Sequence, residues 1–101
     1  MAEVVWTKIA LRQYEKAVRY ILATQGLPHA QSLVRRVDQL MEILATNPEI
    51  GTKEPLLRHK RGPYRFIVTW SHKIIYKTNR SKVTIARFFH TSRDPKKIFQ
   101  R

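Results

Sequence analysis

The chain contains no cysteine. That excludes disulfides, cysteine-ligated zinc and thiol nucleophiles together, and it fits a reducing compartment. Acidic residues are scarce: 7 Asp and Glu stand against 20 Lys and Arg. Five of those acids fall in residues 1–50, leaving Glu54 and Asp94 alone in the second half. A carboxylate pair for glycoside or aspartyl-protease chemistry is therefore not expected. The 3 glycines, Gly26, Gly51 and Gly62, are isolated, so there is no phosphate-cradling loop. The 4 histidines lack metal-ligand spacing and no cofactor is expected. No Ser/His/Asp arrangement is supported by its local context. No stretch approaches the roughly 20 apolar residues that span a bilayer. The opening MAEVVWTKIA has neither the basic region nor the apolar core of a secretion signal. The expected location is cytoplasmic, with no membrane partner.

What is present is positive charge, and it is segregated. Residues 1–50 hold six basic and five acidic side chains, whereas residues 51–101 hold fourteen and two. The formal net charge is +13 and the pI about 10.8. A field of this strength on a small body attracts polyanions: nucleic acid, an anionic surface or an acidic protein segment. The 101 residues make one domain, residues 1–101, and 43% of them are hydrophobic. That suffices for a small core and argues against disorder.

Hydrophobic spacing sets the element order. Val4-Val5-Trp6 is a short terminal strand, and Thr7 offers an N-cap hydroxyl. Leu11, Tyr14, Val18, Ile21 and Leu22 recur at three and four, which predicts a helix over 8–24, ended at Gln25-Gly26. Pro28 suits the first turn of a second helix. Its apolar face runs from Ala30 through Leu33, Val37 and Leu40 to Leu44, and Asn47-Pro48 stops it near residue 46. Residues 47–63, with three prolines and two glycines, are a loop holding the basic cluster Arg58-His59-Lys60-Arg61. Strands follow at Tyr64–Trp70, Lys73–Thr78 and Lys82–His90, then a basic tail over 91–101. The fold class is α+β, in the order β-α-α-β-β-β: a helical hairpin packed on one face of a mainly antiparallel sheet, with the other face left for solvent or a ligand.

Candidate chemistry rests on Arg, Lys, His and Tyr, which suit binding of phosphodiesters and, with a proton shuttle, their cleavage. Alternation groups His90 with Ala86 and Phe88, and Arg87 with Val83, Ile85 and Phe89. It groups Arg65 with Ile67 and Thr69, a set that could reach the open face. His90 reads either as a site residue or as a local cap of the following turn. Trp6, Tyr14 and Trp70 are expected in the core or packed on the hairpins.

The run YRFIV…IIYK…VTIARFFHTSRDP, behind a helical hairpin and a loop with NPE and Gly, resembles the RelE/ParE superfamily of bacterial type II toxin–antitoxin toxins. The resemblance covers nearly the whole chain, and its most specific piece is FFHTSRDPKKI. It implies a cognate antitoxin whose acidic or amphipathic C-terminal segment wraps the basic surface. Arg58, Lys60, Arg61, Lys77 and Arg87 are the candidates for binding that antitoxin or the target. ParE-like members inhibit DNA gyrase and are not hydrolases. The paired helices, the IIYK strand and the HxxRDP turn look closer to this branch. RelE-like members cleave mRNA on the ribosome. For that alternative the resemblance implies Arg65, Lys73, His90 and Arg93 as catalytic residues. There, however, Phe99 falls where RelE has its tyrosine, and Thr91 where the YoeB-like pattern has one. A third alternative, a non-toxic basic nucleic-acid-binding module, rests on charge alone.

Overall fold

A computed structural model describes residues 1–53 and 64–91. Strand β1 (Glu3–Trp6) leads into helix α1 (Lys8–Gln25) and helix α2 (Leu27–Thr46). Strands β2 (Thr52–Lys53), β3 (Tyr64–Thr69), β4 (His72–Asn79) and β5 (Lys82–His90) follow. They form one sheet in the order β1-β5-β4-β3-β2. Strand β1 runs parallel to β5, and every other pairing is antiparallel. The helical hairpin covers one face. Leu33, Val37, Leu40 and Leu44 of α2 and Ala10 and Ile21 of α1 pack with Ile74, Tyr76, Val83, Ile85 and Phe88.

Each junction has a local cause. Thr7 accepts a hydrogen bond at its Oγ1 from the Ala10 N–H (3.1 Å), capping α1. The same residue donates its N–H to the Ile85 carbonyl at 3.0 Å. One residue thus starts the helix and fixes its entry to the sheet. Gly26 alone links the helices, at φ 92 and ψ 171. That region is open essentially to glycine, and it lets α2 begin at Leu27, one residue earlier than Pro28 suggests. Strand β2 has no counterpart in the expected order, because two residues carry no readable period. Trp70 leaves the strand expected over Tyr64–Trp70 for a two-residue turn, Trp70-Ser71. Arg80-Ser81 makes the matching turn between β4 and β5. Trp70 and Arg80 have φ 52 and φ 53, a conformation costing a side chain about 1–2 kcal/mol.

Strand β5 carries a bulge. Ile75 pairs with Arg87 but Tyr76 pairs with Ile85, so Ala86 is the extra residue. Simple alternation therefore fails beyond it. Val83 and Ile85 face the helices, and the next residue to do so is Phe88. Arg87 and Phe89 turn to the opposite face, so the expected grouping of Arg87 with Val83 and Ile85 is corrected. The freed edge of β5 is closed by α1: the Gln13 Oε1 accepts from the Phe88 N–H at 2.8 Å. The Thr7 hydroxyl donates to the Ala86 carbonyl at 3.3 Å.

The far edge is closed by a clasp. The Gly51 N–H donates to the hydroxyl of fully buried Tyr76 at 2.8 Å. The Arg65 guanidinium donates to the Gly51 carbonyl at 2.8 Å and to the Glu49 carbonyl at 3.2 Å. A Cβ on Gly51 would lie 2.6 Å from the Tyr76 hydroxyl and 2.7 Å from the Phe66 carbonyl. Neither can give way easily. Gly51→Ala is expected to destabilise by about 1–3 kcal/mol through overpacking, read as a lower urea midpoint. Tyr76→Phe keeps the ring and loses only the hydrogen bond, a cost of about 1 kcal/mol. A Gly51→Ala midpoint equal to that of the unsubstituted chain would mean the clasp is dispensable.

Candidate functional site

The face away from the helices combines aromatic rings and cations. Cross-strand pairing brings Tyr64 beside Lys77, Phe66 beside Ile75 and Val68 beside Lys73. On β5, Phe89 lies beside Lys73 and Arg87 beside Ile75. Ile75 and Phe89 are buried here, with Tyr64 and Phe66 packed against them. The Lys73 Nζ stands 4.1 Å over the Phe66 ring and the Lys77 Nζ 5.7 Å from the Tyr64 centroid. Each ring attracts its cation through its negative face while the stem covers apolar surface. Arg87 donates to the Ala86 carbonyl at 2.7 Å. Its Nε is buried without a hydrogen-bond partner. A guanidinium donor held this way favours an incoming acceptor.

Arg65 does not belong to this face. It pairs with Tyr76 and lies on the helix-covered side, where it holds the clasp, so the expectation that it reaches the open face is corrected. Its ion pair with Glu49 (3.5 Å) leaves that carboxylate 77% exposed, and such a pair contributes little. Nor do the four residues implied for RNA cleavage converge where they are described. His90 pairs with His72 on the helix-covered side, four residues along β4 from the Arg65 level, about 13 Å at strand rise. Lys73 is on the other face. Arg93 lies outside the described residues, as do Arg58, Lys60 and Arg61.

His90 and His72 end a chain of rings. Trp6 stacks on Tyr14 at 5.1 Å, and Tyr14 meets Phe88 edge-on at 5.1 Å. Phe88 stacks on His72 at 5.0 Å, and His72 meets His90 edge-on at 5.5 Å. Burial, then the nearby His90, holds His72 below the usual histidine range. Its Nδ1 is buried without a hydrogen-bond partner. Tyr14 is pushed up by burial and by the Asp38 carboxylate. Tyr76 is pushed up by burial, against the opposing Gly51 hydrogen bond. Both hydroxyls stay protonated at neutral pH. Among the described residues, no group of three His, Cys, Asp or Glu could hold a metal ion, and no helix is long and apolar enough to cross a membrane.

Sequence reasoning missed one feature. Trp6 and Tyr14 pack on the core as expected, but Trp70 is 59% exposed. It overhangs a cleft of about 630 Å³ between α1 and the β3–β4 turn. Lys16 and Tyr20 of α1 line the same cleft, with His72 and His90 at its end. No spacing rule joins residues 16, 20, 70 and 90, so only the fold reveals the grouping.

The model of the family "ParE toxin of type II toxin-antitoxin system, parDE" matches residues 4–95. No curated protein matches the chain. Among solved structures, a chain of the chromosomal ParDE TA system from P. aeruginosa is similar in fold, with a TM-score of 0.67 and 16% identity. The match covers 89% of this chain and 96% of that one.

The lowered His72 value fixes a pH dependence. Folded His72 is neutral, whereas in the unfolded chain it takes up a proton below about pH 6.5. Protons therefore favour unfolding, and this contribution to stability is lost as pH falls from about 6.5 toward the lower folded value. The melting temperature is expected to drop between pH 7.5 and 5. His72→Phe, which keeps the stack on Phe88, should reduce that drop. An unchanged slope in His72→Phe would assign the effect to other groups.

Proposed function

Because this chain belongs to the ParE toxin family of type II toxin–antitoxin systems, we propose that it arrests growth by inhibiting DNA gyrase and that a cognate antitoxin neutralises it. The observation that carries the choice of gyrase over mRNA is the separation of Arg65, Lys73 and His90. Metal-independent RNA cleavage needs cations and a proton shuttle around one phosphate. Here Arg65 is engaged by two backbone carbonyls, and Lys73 lies across the sheet from His90. The buried tyrosines are protonated and do not act as bases. The chain is thus better suited to binding than to phosphodiester chemistry.

The antitoxin's binding face, in this reading, is the open side of the sheet. Lys73, Lys77 and Arg87 stand there among aromatic rings, and an acidic or amphipathic segment complements both. The unpartnered Nε of Arg87 receives its acceptor from that segment. Lys77 and Arg87 thereby keep the roles the sequence suggests for them. Antitoxin capture leaves the toxin unable to reach its target.

Purified toxin is expected to inhibit gyrase supercoiling and to accumulate cleaved plasmid, while mRNA on ribosomes stays intact. Codon-phased mRNA ends with unaffected supercoiling would replace this reading with the RelE-like one. Lys77→Glu and Arg87→Glu should each slow antitoxin association about tenfold at low salt, the usual effect of reversing an interface charge. Surface plasmon resonance against the immobilised antitoxin measures it. Unchanged association rates would move the antitoxin off this face.

A further inference from the structure

The cleft under Trp70 lies on the helix-covered side and is distinct from the basic open face. Its described lining contains no carboxylate. Lys16 stands on its rim, and Lys16 continues a stripe of exposed cations on α1: Lys8, Arg12, Lys16 and Arg19. The first three recur every fourth residue, a rise of about 6 Å each along the helix. Like charges at that spacing repel one another. Glu15 is the one acid on α1, so the stripe stays strongly positive. Two aromatic rings flank the cleft in an unusual state for their type. Trp70 is 59% and Tyr20 66% exposed. Trp70 is also held out at the turn by a positive φ.

We propose that this cleft and the α1 stripe bind single-stranded nucleic acid. One unstacked base inserts beside Trp70 and Tyr20, and the flanking phosphates lie on Lys16 and Arg12. The chemistry matches on each count. Exposed rings stack on a base regardless of its sequence, and a row of cations tracks the backbone. The apolar floor of Ala17, Ile21 and Phe88 accommodates a base edge-on without a competing anion. A duplex keeps its bases stacked inside and cannot fill the cleft. An acidic peptide matches the charge but makes no use of the two exposed rings that line the cleft. Bases and phosphates are common to DNA and RNA, so the site takes either. The inference does not depend on gyrase being the target.

The test uses the purified toxin with an octamer of deoxythymidine and one of uridine, both labelled for anisotropy. Either octamer is expected to quench tryptophan emission on binding. The logarithm of affinity should fall with the logarithm of salt at a slope near −1.4, about −0.7 for each of the two phosphates held by Lys16 and Arg12. Trp70→Ala should abolish the quench and weaken binding about tenfold or more, while Trp70→Phe retains affinity. Lys16→Glu should weaken it similarly, and Lys82→Glu, the same charge change at the start of β5, only about twofold. Thermal melts verify that each variant is folded. Equal affinity in Trp70→Ala, or equal losses in Lys16→Glu and Lys82→Glu, would overturn the proposal. So would quenching by a polyglutamate peptide as strong as by the octamers, which would make the cleft a protein-docking site.

Discussion

One extra residue in β5 organises both faces of this protein. The Ala86 bulge lets Val83 and Ile85 face the helices before it and Phe88 after it. Phe88 is the ring that joins Trp6 and Tyr14 to His72. Without the bulge, regular alternation would bury the Arg87 guanidinium under the helices, where an unpaired charge costs several kcal/mol. With it, Arg87 moves to the outer face and joins Lys73 and Lys77. The bulge also breaks the backbone ladder at a point where β1 has ended. Thr7 and Gln13 supply the missing partners. The position of α1 on the sheet is thus fixed by the backbone groups that the bulge frees.

This arrangement separates the cations into two territories. On the outer face Lys73 and Lys77 sit over aromatic rings, with Arg87 on the same side. On α1 the cations line the rim of a cleft whose floor is apolar. Tyr14 and Tyr76 are held above the usual tyrosine range and His72 below the usual histidine range, each chiefly by burial. Cation-lined surfaces of this kind attract anionic groups, and the chain that carries them belongs to the ParE toxin family.

Much of the fold was legible because its signals are local. The helix faces repeat at three and four over many turns, and Thr7, Gly26 and Pro48 mark the ends by well-defined backbone chemistry. The strands of the meander are rich in β-branched and aromatic residues. What escaped the sequence was everything decided by long-range contact. A bulge has no residue signature of its own, so parity misplaced Arg87. Arg65 alternates with Ile67 and Thr69 as expected, but which face that set occupies depends on the partner strand. Strand β2 is two residues long and exists only because β3 offers an edge. Trp70 looked like a packing residue because tryptophan usually is one. Its exposure follows from a two-residue turn that the sequence Trp-Ser does not announce.

The parallel pairing of β1 with β5 joins Glu3 to Lys82 and Trp6 to Ile85. Among the described strands, the first in chain order is therefore seated beside the last. Strand β5 also pairs with β4 and packs on α1, so it ties β1, α1 and the antiparallel strands into one body. Without residues 82–90 the helical hairpin would lose Val83, Ile85 and Phe88 from the surface on which it buries its apolar face. Closing the long loop from β1 to β5 is the slow step for such topologies. Seating β5 therefore completes two things at once: the surface that receives α1 and the strand that carries Arg87 beside Ile75 on the outer face.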